Sequence, residues 1–250
     1  MKGICLAGGL GTRLLPLTAY DNKHFLPVYQ RRMIEYPIQT LVDAGIRDVI
    51  VVTGGKNPGA FLELLKNGKG FGLNRLYYTY QEGNGGIADA LKLAEPFVEE
   101  DEDCVVILGD NYFEDGIAEC MDQWTRNKRD WWVTKKGLPA GAFCILKEVS
   151  DPERFGIAEL DENRIVSIEE KPIAPKSNYA ILGCYMLDST VWKWLDQLQP
   201  SARGELEITD ILRRYMNTGS LSFATYTGTW SDMGTFESWM EVSQRVMGRS

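Results

Sequence analysis

This 250-residue sequence predicts an α/β fold with a mixed, mostly parallel central sheet, and three observations carry that prediction. Fully apolar runs alternate with helical stripes through the first half, the rhythm of parallel strands covered on both faces. Apolar residues make up 44% and aromatic residues 11% of the chain, enough to fill a sizeable core. The runs also end in glycine-rich turns, so each strand stops sharply at a loop.

The elements follow in order. Ile4–Leu6 is a short buried strand that ends at Gly8-Gly9-Leu10-Gly11. Tyr36-Pro37 opens a helix with proline in the first turn, where its missing N–H costs nothing. Ile38, Leu41 and Val42 form its apolar stripe, and Gly45 stands where a terminating glycine belongs. Val49–Val52 is a β-branched strand, Phe61–Leu65 helical and Leu76–Tyr80 extended. Ile87, Ala90, Leu91 and Ala94 make one helical stripe, stopped by Pro96. Val105–Leu108 is apolar throughout and runs into Gly109-Asp110-Asn111. In the second half, Ala142–Glu148, Ala158–Leu160, Ile165–Glu169 and Cys184–Leu187 read as strands. Helices are expected at about Ser189–Gln197 and Glu207–Asn217, with Gly219 as a stop. Leu221–Tyr226 is extended and Phe236–Met247 is a closing helix. No linker, repeat or low-complexity tract interrupts the chain, so one domain over residues 1–250 is expected.

Composition excludes several chemistries. There are 27 Lys+Arg against 35 Asp+Glu, a net charge of −8, which argues against binding a nucleic acid polymer through a broad basic face. No apolar run approaches the roughly 20 residues that span a bilayer, so no membrane association is expected. The start lacks the long apolar core of a signal peptide. Five scattered cysteines without CxxC spacing indicate a reduced, cytoplasmic chain with neither a zinc site nor a disulfide framework. His24 is the one histidine, which excludes multi-histidine metal sites and His-based triads elsewhere. Chemistry must therefore run on carboxylates, lysine and arginine.

Ligands in parallel sheets bind beyond the carboxyl ends of strands, where both Gly8-Gly9-Leu10-Gly11-Thr12-Arg13 and Gly109-Asp110-Asn111 fall. A glycine loop lets backbone N–H groups approach a phosphate, and Arg13 adds a charged fork. The loop lacks the Gly-Lys-Ser/Thr of a Walker A motif and the spacing of a dinucleotide fingerprint. Read alone, it is as often plain punctuation as a site, just as Asp110 and Asp232 alone read as turn or capping aspartates.

The larger pattern is more specific. Leu6-Ala7-Gly8-Gly9-x-Gly11-Thr12-Arg13-Leu14-x-Pro16-Leu17-Thr18 is followed by Lys23-x-x-Leu26-Pro27-Val28. Gln81, Gly109-Asp110-Asn111, Phe155-Gly156 and Glu170-Lys171-Pro172 come next, then Gly204-Glu205-Leu206-Glu207-Ile208-Thr209-Asp210 and Trp230-Ser231-Asp232-Met233-Gly234-Thr235. This ordered set resembles the nucleotidyltransferases that activate sugar 1-phosphates, and among them a short form of the glucose-1-phosphate thymidylyltransferases. The resemblance implies a Rossmann-like domain of the nucleotide-diphospho-sugar transferase type. Its nucleotide part would span about residues 1–115 and its sugar part about 140–235.

It also implies roles. Leu6, Gly8, Gly9, Gly11 and Thr12 would hold the nucleotide, with Arg13 and Lys23 as catalytic cations at the α-phosphate. Gln81 would read the base, its amide offering donor and acceptor to the O4/N3–H edge of thymine or uracil, with Gly86 beside it. Asn111, Gly156, Glu170, Lys171, Ile181 and Trp230 would form the sugar site. Asp110 and Asp232 would hold Mg2+, a hard cation that often uses only one or two protein carboxylates. The implied substrates are dTTP and α-D-glucose 1-phosphate, giving dTDP-glucose and pyrophosphate in a homo-oligomer, dimer or tetramer. Thymine and uracil are not separated by these residues. A different nucleotide or sugar, and a non-catalytic sugar-nucleotide-binding subunit on the same fold, are the alternatives; Arg13, Lys23, Asp110 and Asp232 are all retained, as catalysis requires.

Departures leave two questions. His24 stands where many such enzymes carry glutamine, either packed beside the site or touching the nucleotide. The Asn127–Pro139 stretch reads as a long link whose Trp131 and Trp132 go either into the core or into a subunit contact. Longer members of the family continue into helices that help to form a regulatory nucleotide site, so feedback inhibition through that site is expected to be weak.

Overall fold

A computed structural model describes residues 1–134 and 141–249, apart from the side chains of Trp132 and Thr134. The first half builds four parallel strands: β1 (Lys2–Ala7), then, after the two-residue pair β2 (Pro27–Val28) and β3 (Arg31–Arg32), β4 (Asp48–Gly54), β5 (Arg75–Gln81) and β6 (Cys104–Leu108). β1 lies between β4 and β6, with Cys5 opposite both Val51 and Ile107. Helices α1 (Glu35–Asp43), α2 (Gly59–Leu65) and α3 (Ile87–Lys92) make the crossovers. α1 ends as its sequence dictates: Gly45 adopts φ 87°, its N–H reaches Val42 O, and the Ile46 N–H reaches Leu41 O.

Side-chain alternation explains the layering. Ile4, Leu6, Ile50, Val52 and Val106 face one core with α3, while Cys5, Val49, Val51, Val105 and Ile107 face the other with α1 and α2. β1, β4 and β6 therefore bury both faces, at about 1.5–3 kcal/mol per large aliphatic side chain, while β5 at the sheet edge stays partly exposed. All five cysteines are free and buried within these layers.

The second half attaches antiparallel. β7 (Tyr112–Phe113) follows β6 and leads into α4 (Ala118–Thr134), the 17-residue helix that the sequence reading placed partly in a link. Its stripe was present in Ile117, Cys120, Met121 and Trp124, all buried in the second core. Trp131 is half-buried on this helix, whereas the Trp132 side chain and residues 135–140 lie outside the described residues. Then come β8 (Ala142–Glu148), β9 (Gly156–Asp161), β10 (Arg164–Glu170) and β11 (Tyr179–Leu187). β11 is longer than expected, because it runs through Gly183 rather than starting after it. Helices α5 (Thr190–Leu195) and α6 (Ile208–Asn217) join the first core, and β12 (Leu221–Thr225) pairs parallel to β8. β13 (Trp230–Ser231) and α7 (Phe236–Met247) close the chain, α7 with the bounds its pattern predicts.

β11 creates the opening that matters. One edge pairs with β8 through Tyr179–Ile181 and Tyr185–Leu187, with a register shift between them; the other pairs with β9 through Tyr179 and Ala180, and with β6 through Cys184–Leu187. Between those two partners, residues 181–183 leave a gap in the sheet. The loop after β6 projects into it, with the Gly183 N–H donating to Asn111 Oδ1 at 3.2 Å. Among the described residues, no helix is long and apolar enough to cross a membrane.

Candidate active site

The glycine loop leaves β1 at Gly8, and Gly11 turns it with φ 66°, a left-handed conformation that favours glycine. Close approach explains the others. A Cβ on Gly54 would lie 2.9 Å from Gly8 Cα, so β4 lets the loop fold down onto its end. Lys23 lies across the loop: Cβ atoms on Gly9 and Gly11 would meet its side chain at 3.3 and 2.9 Å.

Lys23 is placed by its neighbour Asn22, which sequence reasoning passed over. The Asn22 amide donates to Gly54 O at 2.9 Å, and its Oδ1 accepts from the His24 backbone N–H at 3.0 Å. One buried side chain thereby ties the Lys23 turn to the strand ends. Lys23 Nζ forms an ion pair with Asp110 Oδ2. Burial works to raise the Asp110 pKa, but Lys23 and the Asn111 amide hold it below the usual carboxylate range.

His24 answers one of the open questions. It is 1% exposed, its Nδ1 donates to Asn22 Oδ1 at 2.6 Å, and its ring lies 2.8 Å from where a Cβ on Gly109 would stand. It is therefore packed between Asn22 and Gly109, bracing the turn that carries Asp110. Burial and the Lys23 charge push its pKa down to about 3, against the opposing pull of Asp110. The imidazole is neutral when folded and protonates near its ordinary value when unfolded. Its contribution to stability is full above about pH 6.5 and is lost progressively as pH falls towards 3. Thermal denaturation of wild type and His24→Gln between pH 4.5 and 7.5 should show a shallower acid loss in the variant; parallel curves would contradict this.

Asp232 arrives on a short ribbon. β13 pairs antiparallel with β7, Trp230 opposite Phe113 and Ser231 opposite Tyr112, so the next residue draws level with the Asp110–Asn111 turn. Trp230 Nε1 donates to Asn111 Oδ1 at 2.7 Å and locks the ribbon to the gap in the sheet. Arg13 reaches the same turn: a Cβ on Gly234 would lie 2.9 Å from its Nη2 and 3.2 Å from Asp232 Oδ2. Arg154, unremarked in the sequence, donates to Asp232 Oδ2 at 2.9 Å and to Asp151 Oδ2 at 2.5 Å. Three cations thus surround the two carboxylates.

Several of the residues expected to form a sugar site gather around Gly156. A Cβ on Gly156 would meet Thr209 Cγ2 at 2.7 Å, Glu170 Oε2 at 3.3 Å and Ile181 Cδ1 at 3.9 Å, so these four share one surface. Phe155 packs edge-on against Trp230 at 5.4 Å between ring centroids, closing it beside the ribbon. Burial and the nearby Glu207 raise the Glu170 pKa, with Lys171 and Arg203 opposing them. Arg203 Nη1 lies 3.4 Å from Glu170 and 3.3 Å from Glu207, a second cation that the sequence reading left without a role. Lys171 is partly exposed, 3.7 Å from Glu170 Oε1.

Gln81 ends β5 beside Gly8, and Gly86 immediately precedes α3. The amide itself differs from expectation. Its Nε2 is committed to Gly86 O at 3.1 Å and Asp89 Oδ2 at 2.7 Å, leaving Oε1 turned towards the glycine loop.

Among the described residues, no group of three or more His, Cys, Asp or Glu side chains gathers to enclose a metal. The donor set is instead two carboxylates, Asp110 and Asp232, each held by a cation that an arriving phosphate can draw away. That fits a hard divalent cation sharing its shell with substrate oxygens and water, and does not fit zinc.

Residues 2–248 match the family described as nucleotidyl transferase. The chain belongs to the nucleotidyl transferase family. Its relatives include a glucose-1-phosphate thymidylyltransferase of Neisseria meningitidis, 42% identical, with 98% of this chain and 82% of that protein covered. The glucose-1-phosphate thymidylyltransferase of Mycolicibacterium smegmatis is 38% identical, again covering 98% and 82%. A Bacillus anthracis protein crystallised with a sucrose superposes with a TM-score of 0.88 at 43% identity, covering 98% of this chain and 94% of that one. The Leu6–Arg13 loop, the Lys23 turn and the Trp230–Thr235 ribbon of this nucleotidyl transferase all lie inside the matched region.

Proposed function

We propose that the chain transfers a thymidylyl group from dTTP to α-D-glucose 1-phosphate, forming dTDP-glucose and releasing pyrophosphate. A phosphate oxygen of the sugar attacks the α-phosphorus, and the bond to the β-phosphate oxygen breaks as pyrophosphate leaves. Both the reaction and the relatives' names point to dTTP and glucose 1-phosphate as the substrates.

The observation that carries the reading is the meeting of Lys23, Arg13, Asp110 and Asp232 at one end of the sheet, over a glycine-rich loop. Such a transfer needs positioning and charge compensation more than a covalent nucleophile. Gly8–Gly11 backbone groups would cradle the triphosphate, with Arg13 and Lys23 beside the α-phosphate. Glu170 would accept sugar hydroxyl hydrogens, while Lys171 and Arg203 offer donors to the sugar phosphate. Asp110 and Asp232 would hold Mg2+, which when bound neutralises phosphate charge. Residues 1–250 would act as one unit, the nucleotide part at about 1–115 and the sugar part at about 140–235.

Pyrophosphate release over a panel of nucleoside triphosphates and sugar 1-phosphates tests this. The pair dTTP and glucose 1-phosphate should give the highest kcat/KM. Release with none of the pairs, or a clear preference for another sugar, would reject it.

A further inference from the structure

Two observations fix how Gln81 presents itself. Both N–H groups of its amide are used inside the protein, one on Gly86 O and one on Asp89 Oδ2. Its Oε1 faces the other way, over the glycine loop, where a Cβ on Gly8 would stand 2.4 Å from it. Gln81 is buried at the end of β5, so it has little freedom to turn. Asp89, in the first turn of α3, is seated against Gly85, where a Cβ would lie 2.5 Å from its Cγ. A carboxylate can only accept hydrogen bonds, so it dictates which end of the amide turns towards it.

We propose that Asp89 is a positioning residue for base selection: it holds the Gln81 carbonyl oxygen towards the nucleotide, so that the site takes pyrimidines carrying a hydrogen on ring nitrogen N3. This rests on the reading of Gln81 as the base contact given above. Thymine and uracil both donate N3–H to Oε1. Cytosine has a lone pair at N3, so two acceptors would face each other and each would lose its partner. The thymine methyl group plays no part, and Asp89 therefore leaves thymine and uracil alike. Removing the Asp89 carboxylate frees one amide N–H and allows the amide to rotate, which turns a donor towards the base.

The test compares wild type, Asp89→Asn and Asp89→Ala in pyrophosphate release with dTTP, UTP and dCTP at saturating sugar phosphate. The preference for dTTP over dCTP in kcat/KM should fall about tenfold in Asp89→Ala, mainly through KM, and less in Asp89→Asn, whose remaining side-chain oxygen can still accept the Gln81 N–H, while dTTP:UTP stays within about twofold in both. Equilibrium titration with the same three nucleotides supplies the ratios for a variant whose turnover is too low to follow. A dTTP:dCTP preference in Asp89→Ala equal to that of wild type would overturn the assignment. So would a uniform loss with all three nucleotides, which is what a purely structural role produces. Failure of the underlying reading is separate, since it would show as absent turnover and binding with dTTP and UTP in the wild-type protein itself.

Discussion

Replacing Lys23 by alanine is expected to lower turnover by about 100- to 1000-fold, the scale of losing one preorganised charge at a reacting phosphate. The lysine is held for that task before any ligand arrives. Asn22 anchors its turn to the ends of β1 and β4, and its side chain runs over Gly9 and Gly11. The same substitution strips Asp110 of its cation, and Asp110 is only 9% exposed. Removing one partner from such a pair costs about 3–5 kcal/mol when the remaining charge stays buried. Loss of stability and loss of chemistry are therefore entangled in the single variant. Lys23→Ala combined with Asp110→Asn separates them, because the stranded charge is gone. That protein should regain most of the thermal stability lost by Lys23→Ala and none of its turnover. Single-turnover pyrophosphate release and thermal denaturation of the three proteins check both halves. Near-normal turnover in Lys23→Ala would remove the lysine from the chemistry. A stability loss left intact by the second substitution would show that the side chain matters to packing alone.

How much of this was legible in the sequence depended on range. Periodicity is local, and it gave β1, β4, β6 and α7 because their side chains alternate or repeat into a core within a few residues. The stripe of α4 was equally local, but the Asn127–Pro139 stretch reads as an extended link by its length, although residues up to Thr134 continue the helix. Glycine turns at strand ends mark the end of the sheet at which ligands bind in parallel α/β folds. Charge partnerships were not legible, because the fold alone brings their members together. Arg154 and Asp232 are 78 residues apart, and next to Phe155-Gly156 the arginine looks like ordinary surface charge. Gln81 shows the same limit in finer detail. Residue type says that an amide carries a donor and an acceptor; only the placement of Asp89 and Gly86 says which of them is left for a ligand. His24 was visible beside Lys23, but its burial, and hence its bracing role, came from Asn22 and Gly109.

The second large effect is expected at Asp232, the better of the two carboxylates for testing the cation site. Asp110 is bound up with Lys23, so any change there disturbs two functions at once. Asp232 is held by Arg154, which keeps a second acidic partner in Asp151. Asp232→Asn preserves the shape of the side chain and the oxygen that accepts the Gly234 N–H at 3.3 Å, while the charge and the acceptor for Arg154 are lost, and Arg154 retains Asp151. Folding should therefore be little altered, and thermal denaturation should place the variant close to wild type. Turnover should fall by about 100-fold or more, because a neutral amide is a poor ligand for a hard divalent cation beside phosphates. The Mg2+ concentration for half-maximal pyrophosphate release should rise at the same time, and excess Mg2+ should recover part of the loss. A merely structural aspartate would give the opposite pattern, with reduced stability and an unchanged Mg2+ requirement. Turnover and Mg2+ dependence both equal to wild type would mean that Asp232 does not share the cation with Asp110, and the site would then need a different second ligand.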